Sequence, residues 1–236
     1  MNYFDIHKQT AINRYLKAAA HQKFVGLLTE FLETKLELLF IYANTTAETL
    51  WVRMTSPNLY YHTPVHILAL LRFAQQNDIN LNPAEELAIW FHDAIYVTNR
   101  TDNEINSAKF MESQLLSSST QDILQRPDLN NIATVAKKHI HSTADHLLKE
   151  KLSYSSYKIM DLDLSAFSLD REQYTLTTSL IRQEYPTISD EVFNQGRKEF
   201  LIKLLERGPI YRTDKFKNEF EEKASKNIKL DLENLK

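Results

Sequence analysis

The sequence predicts an all-α protein folded as a single domain, and three observations carry that expectation. Glycine is scarce, with only Gly26, Gly196 and Gly208 in 236 residues. Apolar residues recur at three- and four-residue spacing through most of the chain, the period of a half-buried helix. No apolar–polar alternation of the kind a strand needs persists beyond a few residues. Hydrophobic residues make up 43% and charged residues 25%, a balance that lets a chain of this length bury a core.

Taken in order, "QKFVGLLTEFLETKLELLFIYA" is expected to be one helix, with Phe24, Leu27, Leu28, Phe31, Leu32, Leu36 and Leu39 as its apolar stripe. "TPVHILALLRFAQQ" begins a second, with Thr63 as N-cap and Pro64 at the first helical position, where a missing N–H costs nothing. "NPAEELAIWFHDAIY" repeats that start with Asn82 and Pro83, and places Glu85 and Glu86 in an acidic first turn. "DNEINSAKFMESQLL" and "DLNNIATVAKKHIHSTADHLL" follow, joined by the polar "SSSTQ". Further helices are expected from about Ser165, across "REQYTLTTSLIRQEY", and over "DEVFNQGRKEFLIKLLERG", which Gly208 and Pro209 end. The charged tail "DKFKNEFEEKASKNIKLDLENLK" reads as a last helix. No repeat and no linker divides the chain.

Composition removes several function classes. Without cysteine there is no disulfide, thiolate metal site or cysteine nucleophile. Three scattered glycines do not make a phosphate-cradling loop, a dinucleotide fingerprint or a nucleophile elbow. A formal charge of -3 gives no reason to expect nucleic-acid binding. The first residues hold no apolar core of signal-peptide length, and no run approaches a membrane span, so a cytoplasmic protein off the membrane is expected.

The stretch "WFHDAIY" sets His92 and Asp93 among Trp90, Phe91, Ala94 and Ile95, which look like core. A buried polar pair is costly unless hydrogen bonds or an ion compensate it. His7, His21 and His146 read as surface. The other histidines, His62, His66, His92, His139 and His141, fall on three predicted helices, and convergence from neighbouring helices is how helical folds build metal sites. His62 and His66 lie four apart around a helix start, so both could face one site. His139 and His141 are about 200° apart if helical, as are Asp161 and Asp163, so only one of each pair can point at a common centre.

The combination of a histidine, a His-Asp pair about thirty residues on and an aspartate about seventy residues further resembles the HD superfamily of metal-dependent phosphohydrolases. "YYHTPVHI", "IWFHDAIY", "DNEINSA", "DLDLSAF", "IRQEYP" and "GRKEFLIKLLERGPIY" are similar, in order, to the bacterial branch described as predicted metal-dependent HD superfamily phosphohydrolases. The resemblance implies one HD-type helical bundle over residues 1–236, with its motif-bearing core at about 50–225. It also implies metal ligands His62, His92, Asp93 and one of Asp163 and Asp161, with Asp163 ranked first. The cofactor is then a divalent Mn, Fe, Ni, Zn or Mg ion. The partner is a small phosphorylated substrate, a nucleotide among the candidates, hydrolysed by a metal-activated water; a homo-oligomer is left open.

Glu104 and His66 are the candidate catalytic residues, with the non-ligand aspartate of the 161/163 pair as a further base. Lys138, His139, His141 and Arg182 are the candidate phosphate contacts, and Lys137 and Arg197 are further cations that could offset phosphate charge. The late segment "YTLTTSLIRQEYPTISDEVFNQGRKEFLIKLLERGPIYRT" is a candidate lid or oligomer contact, and its Tyr185, Tyr211 and Arg212 suit a nucleotide. Two departures qualify the resemblance. Asn103 precedes Glu104 where relatives with two metals carry a histidine, and Leu59 and Tyr60 stand where relatives place an arginine, leaving Arg53 as the nearest basic residue. A non-catalytic module that senses a metal or nucleotide is the alternative, and a diiron oxygenase of the same superfamily is a more distant one.

Overall fold

Asn82, Pro83 and Glu85 start the helix against which five others pack. The structure, a computed structural model, describes residues 3–117, 126–147 and 151–235, with side chains described from Lys17 onward apart from residues 116–117. The side chain of His7 and most of "SSSTQ" lie outside the described residues. Ten α-helices and no strand occur among those described: α1 (Tyr3–Leu36), α2 (Phe40–Met54), α3 (Pro64–Gln76), α4 (Pro83–Phe91), α5 (Asn103–Ser117), α6 (Pro127–Ser142), α7 (Tyr154–Asp163), α8 (Arg171–Gln183), α9 (Asp190–Glu206) and α10 (Asp214–Asn234). A 3-10 turn, Leu164–Ser168, joins α7 to the segment before α8.

α4 carries a full capping box. Asn82 Oδ1 accepts the N–H groups of Ala84 and Glu85, and the Glu85 carboxylate accepts the Asn82 N–H at 2.8 Å. Such a cap stabilises a helix by about 1 kcal/mol. Seven of the nine residues of α4 are buried, so this helix has no solvent face. It packs against α1, α3, α5, α6 and α7. Glu85 is itself buried, and its second task is an ion pair with Lys158 of α7 at 2.7 Å. One hydrophobic core runs from Phe24 on α1 to Ile228 on α10.

Three expectations about elements need correction. The first helix does not continue to residue 43: it stops at Leu36, where Glu37 takes a left-handed φ of 53° and the Leu38 N–H returns to the Leu32 carbonyl at 3.1 Å. That closure satisfies an orphan carbonyl and turns the chain into α2. Leu39 therefore sits at the turn, 66% exposed, and Leu27 is also exposed rather than core. The helix expected from about Ser165 is displaced. α7 ends at Asp163, and Leu164–Ser168 tightens into the 3-10 turn. α6 ends at Ser142, short of "ADHLL". No helix among the described residues is long and apolar enough to cross a membrane.

Candidate metal centre

Three helix ends meet at one buried point. α3 contributes His66 from its first turn, just after Pro64. α4 ends at Phe91, so His92 and Asp93 occupy the turn leaving it rather than the helix interior. α7 contributes Asp163, its last residue. His66, His92 and Asp93 are buried, and Asp163 is nearly so.

The four side chains offer ligand atoms that all lie within 4.8 Å of one another. His92 Nε2 is 3.0 Å from Asp93 Oδ2 and 3.5 Å from Asp163 Oδ1. His66 Nε2 is 3.6 Å from Asp93 Oδ2 and 3.4 Å from Asp163 Oδ1. Yet both Nε2 atoms are buried without a properly directed hydrogen bond. An ion with bonds of roughly 2.0–2.2 Å separates neighbouring ligands by roughly 3.0–3.6 Å, so these spacings suit four atoms aimed at a common centre rather than at each other. The donor set of two imidazoles and two carboxylates could hold a divalent metal ion.

The surroundings prepare that role. His92 Nδ1 lies 3.0 Å from the Ile89 carbonyl, which fixes the tautomer with its proton on Nδ1 and a lone pair on Nε2. Asp163 is oriented by His146, whose Nε2 is 3.0 Å from Oδ2, leaving Oδ1 toward His66 and His92. The electrostatics report the same crowding. Burial disfavours a charged His92, but Asp93 and Asp163 outweigh it and hold its pKa well above the usual range. Burial likewise opposes the Asp93 carboxylate, but His92 and His62 bring its pKa down to about 2. Two carboxylates in so small a volume favour a cation beside them, whether a protonated imidazole or a metal.

The turn after His92 is pinned by α5. Ser107 Oγ accepts the Ile95 N–H at 3.0 Å, while the Asn103 side chain accepts from the Val97 N–H and donates to its carbonyl. The "NEINSA" stretch thus braces the His-Asp turn. Glu104, expected as a catalytic base, is not among the clustered residues.

His66, and not His62, falls among the clustered residues, where the sequence reading had placed His62. His62 precedes the N-cap Thr63, so no helical phase directs it to the centre. Its Nδ1 instead meets Glu184 Oε2 at 2.5 Å, and its ring stacks on Tyr96 with centroids 3.5 Å apart. The other oxygen of Glu184 accepts three consecutive N–H groups, from Tyr60, Tyr61 and His62, at 2.7–2.9 Å. Glu184 stands in "IRQEYP", and its partners lie more than 120 residues away. His146, read as surface, was missed because it lies in a turn beyond α6 where no periodicity applies.

Asp161 is not among the clustered residues. It faces away from Asp163, fully buried, accepting the Arg212 N–H, the Thr213 N–H and the Thr213 hydroxyl at 2.7 Å each. Burial pushes its pKa up to about 6, against the pull of those hydrogen bonds. His139 is buried against Ser156, its Nδ1 3.0 Å from Ser156 Oγ, between α6 and α7. His141 and Lys138 are exposed. Arg182 is committed to Asp190 and to the carbonyls of Tyr185 and Ile188. Lys137 pairs with Glu112. Tyr211 is fully buried in the core, so it forms no lid.

A cavity of about 550 Å³ opens beside the cluster, bordered by His62, Tyr96, His146, Asp163 and the inner faces of α8 and α9. A larger groove of about 800 Å³ runs along α1 and α3, but it touches none of the clustered residues. No family model matches this chain, and no curated protein or solved structure matches it.

Proposed function

We propose that the protein is a metal-dependent phosphohydrolase of the HD type, acting on a small phosphate ester. The observation that carries this reading is the convergence of His66, His92, Asp93 and Asp163, with paired carboxylates and unsatisfied imidazole nitrogens, beside a cavity large enough for a substrate that Asp163 lines. The sequence resemblance supports it with one change of ligand, His66 for His62. The absence of thiolates and the presence of two carboxylates favour Mn, Fe, Ni or Zn bound by nitrogen and oxygen.

A divalent cation held there supplies Lewis acidity, acidifying water and drawing charge from a phosphoryl oxygen. The chain's own residues hold and orient. His146 fixes the Asp163 carboxylate, the Ile89 carbonyl fixes His92, and Glu184 holds His62 at the cavity wall. The test is phosphate release from a panel of phosphate esters with added Mn²⁺, comparing the wild type with Asp93→Ala. Mn²⁺-dependent turnover that Asp93→Ala abolishes is expected. Turnover unchanged by that substitution, or none on any ester, would remove the proposal.

A further inference from the structure

The cavity beside the cluster has a chemistry that narrows the substrate, given the hydrolase reading above. Its walls are aromatic and aliphatic, with Tyr61, Tyr96, Tyr185, Phe167, Phe193 and Phe200 among the lining residues. Among the described residues lining it, Arg197 is the one lysine or arginine. That guanidinium is already committed to Asp231 at 2.8 Å, the Thr178 hydroxyl at 2.9 Å and the Tyr174 hydroxyl at 3.1 Å. A polyphosphate would bring several negative charges to a site that holds Asp93, Asp163 and Glu184 with no uncommitted arginine or lysine on the described wall to meet them.

Most of the polar edges are also occupied, His146 Nδ1 excepted. The Thr177 and Thr178 hydroxyls donate to the Tyr174 carbonyl, and the Tyr96 and Tyr185 hydroxyls lie 3.3 Å apart, paired with each other. Few groups remain to read the hydrogen-bonding edge of a base. Apolar aromatic surface is what the cavity offers, and offset or edge-to-face ring contacts are what it can make.

Gly196 adds an independent observation. It lies in the interior of α9, a helix of 17 residues, where glycine is about 1 kcal/mol worse than alanine. No positive φ demands it, and a Cβ built there would meet no atom within 4 Å. Neither backbone strain nor close packing explains the missing side chain. Gly196 lines the cavity at an exposed position on its rim, between Phe193 and Phe200 on the same helix, and its hydrogen leaves volume open there.

We infer that this cavity takes the organic part of a phosphate monoester of an uncharged aromatic alcohol, and that Gly196 keeps room for the ring. In the reaction, the oxygen of water forms a new bond to phosphorus and the bond from phosphorus to the aryl oxygen breaks. The proton lost by water ends on the released alcohol, leaving inorganic phosphate.

The experiment measures binding of three non-hydrolysable probes, phenylphosphonate, methylphosphonate and methylenediphosphonate, to the Mn²⁺-loaded full chain by calorimetry. Phenylphosphonate is expected to bind at least about tenfold more tightly than methylphosphonate, with methylenediphosphonate gaining nothing. In Gly196→Leu the phenyl advantage falls toward unity while bound Mn²⁺ per chain is unchanged. Gly196→Ala, which favours the helix, falls between. Tightest binding by methylenediphosphonate, no binding by any probe, or a phenyl advantage that survives Gly196→Leu would overturn the inference. Phenyl phosphate hydrolysis is assayed in parallel. Phenyl preference without turnover sinks the hydrolase reading alone, and turnover without phenyl preference sinks the cavity inference alone.

Discussion

Removing the carboxylate of Glu184 should be among the most damaging single changes in the protein, although the residue touches no clustered ligand. Its side chain is fully buried and takes four hydrogen bonds, three from successive backbone amides of residues 60–62 and one from His62 Nδ1. Hydrogen bonds to a charged acceptor contribute about 1.5–3 kcal/mol each, but three of these share one oxygen and do not add. Tyr60 is 45% exposed, so its amide can turn to water once released. With those discounts, Glu184→Ala should destabilise by about 3–4 kcal/mol, and Glu184→Gln, whose amide oxygen still accepts N–H groups, by about 1–2 kcal/mol. The assay is urea unfolding of metal-stripped protein followed by the fluorescence of Trp51 and Trp90, both buried. A loss below about 1 kcal/mol for Glu184→Ala would refute the idea that this carboxylate clamps α8 to the segment before α3.

Other outcomes follow from the same geometry. His66→Ala should lose bound metal while His62→Ala retains it, read by elemental analysis; the reverse pattern would restore the ligand set first read from the sequence. Asp161→Ala should keep its metal yet lose about 2–4 kcal/mol in urea, since it strands two backbone N–H groups and a hydroxyl in the interior; metal loss without destabilisation would contradict that separation. His139 gives a pH effect. Burial and the nearby Lys158 and Lys138 depress its pKa, with Glu85 opposing, so it folds neutral. Its contribution to stability is complete above about pH 6.5 and is lost as pH falls through the folded-state value, because the unfolded chain takes up the proton first. Urea midpoints of metal-stripped protein from pH 7.5 down to 5.5 should fall less steeply in His139→Phe; parallel slopes would show that His139 does not contribute.

Much of the fold was legible because its helices are started and stopped by local chemistry. Pro64, the Asn82–Glu85 box and Gly208 each act within a few residues of where they stand. The break between α1 and α2 was not legible, because Glu37 adopts a left-handed conformation that costs a non-glycine residue about 1–2 kcal/mol and no sequence signal marks it. α7 was hidden by its composition: in "YSSYKIMDLD" the buried set includes Ser156 and Asp161, and its apolar members Ile159, Met160 and Leu162 sit too close together to show a helical period.

In the site, His92 and Asp93 stood out because titratable groups inside an apolar stretch need compensation. His66 could have been preferred to His62 on the same logic that placed the helix start. With Thr63 as cap, His66 lies in the first turn, four residues from buried Leu70, whereas His62 lies outside the helix. The choice between Asp161 and Asp163 depends on Thr213 and Arg212, some fifty residues distant, and Glu184 acts at a greater distance still. Contacts of that range carry no local pattern.

The central claim is that His66, His92, Asp93 and Asp163 together hold one divalent cation. The most direct test is elemental analysis of untagged wild-type protein, soaked with Mn²⁺ and dialysed, with metal counted per chain. One equivalent is predicted. No retained metal would contradict the account and leave the cluster as a protonated histidine pinned between two carboxylates.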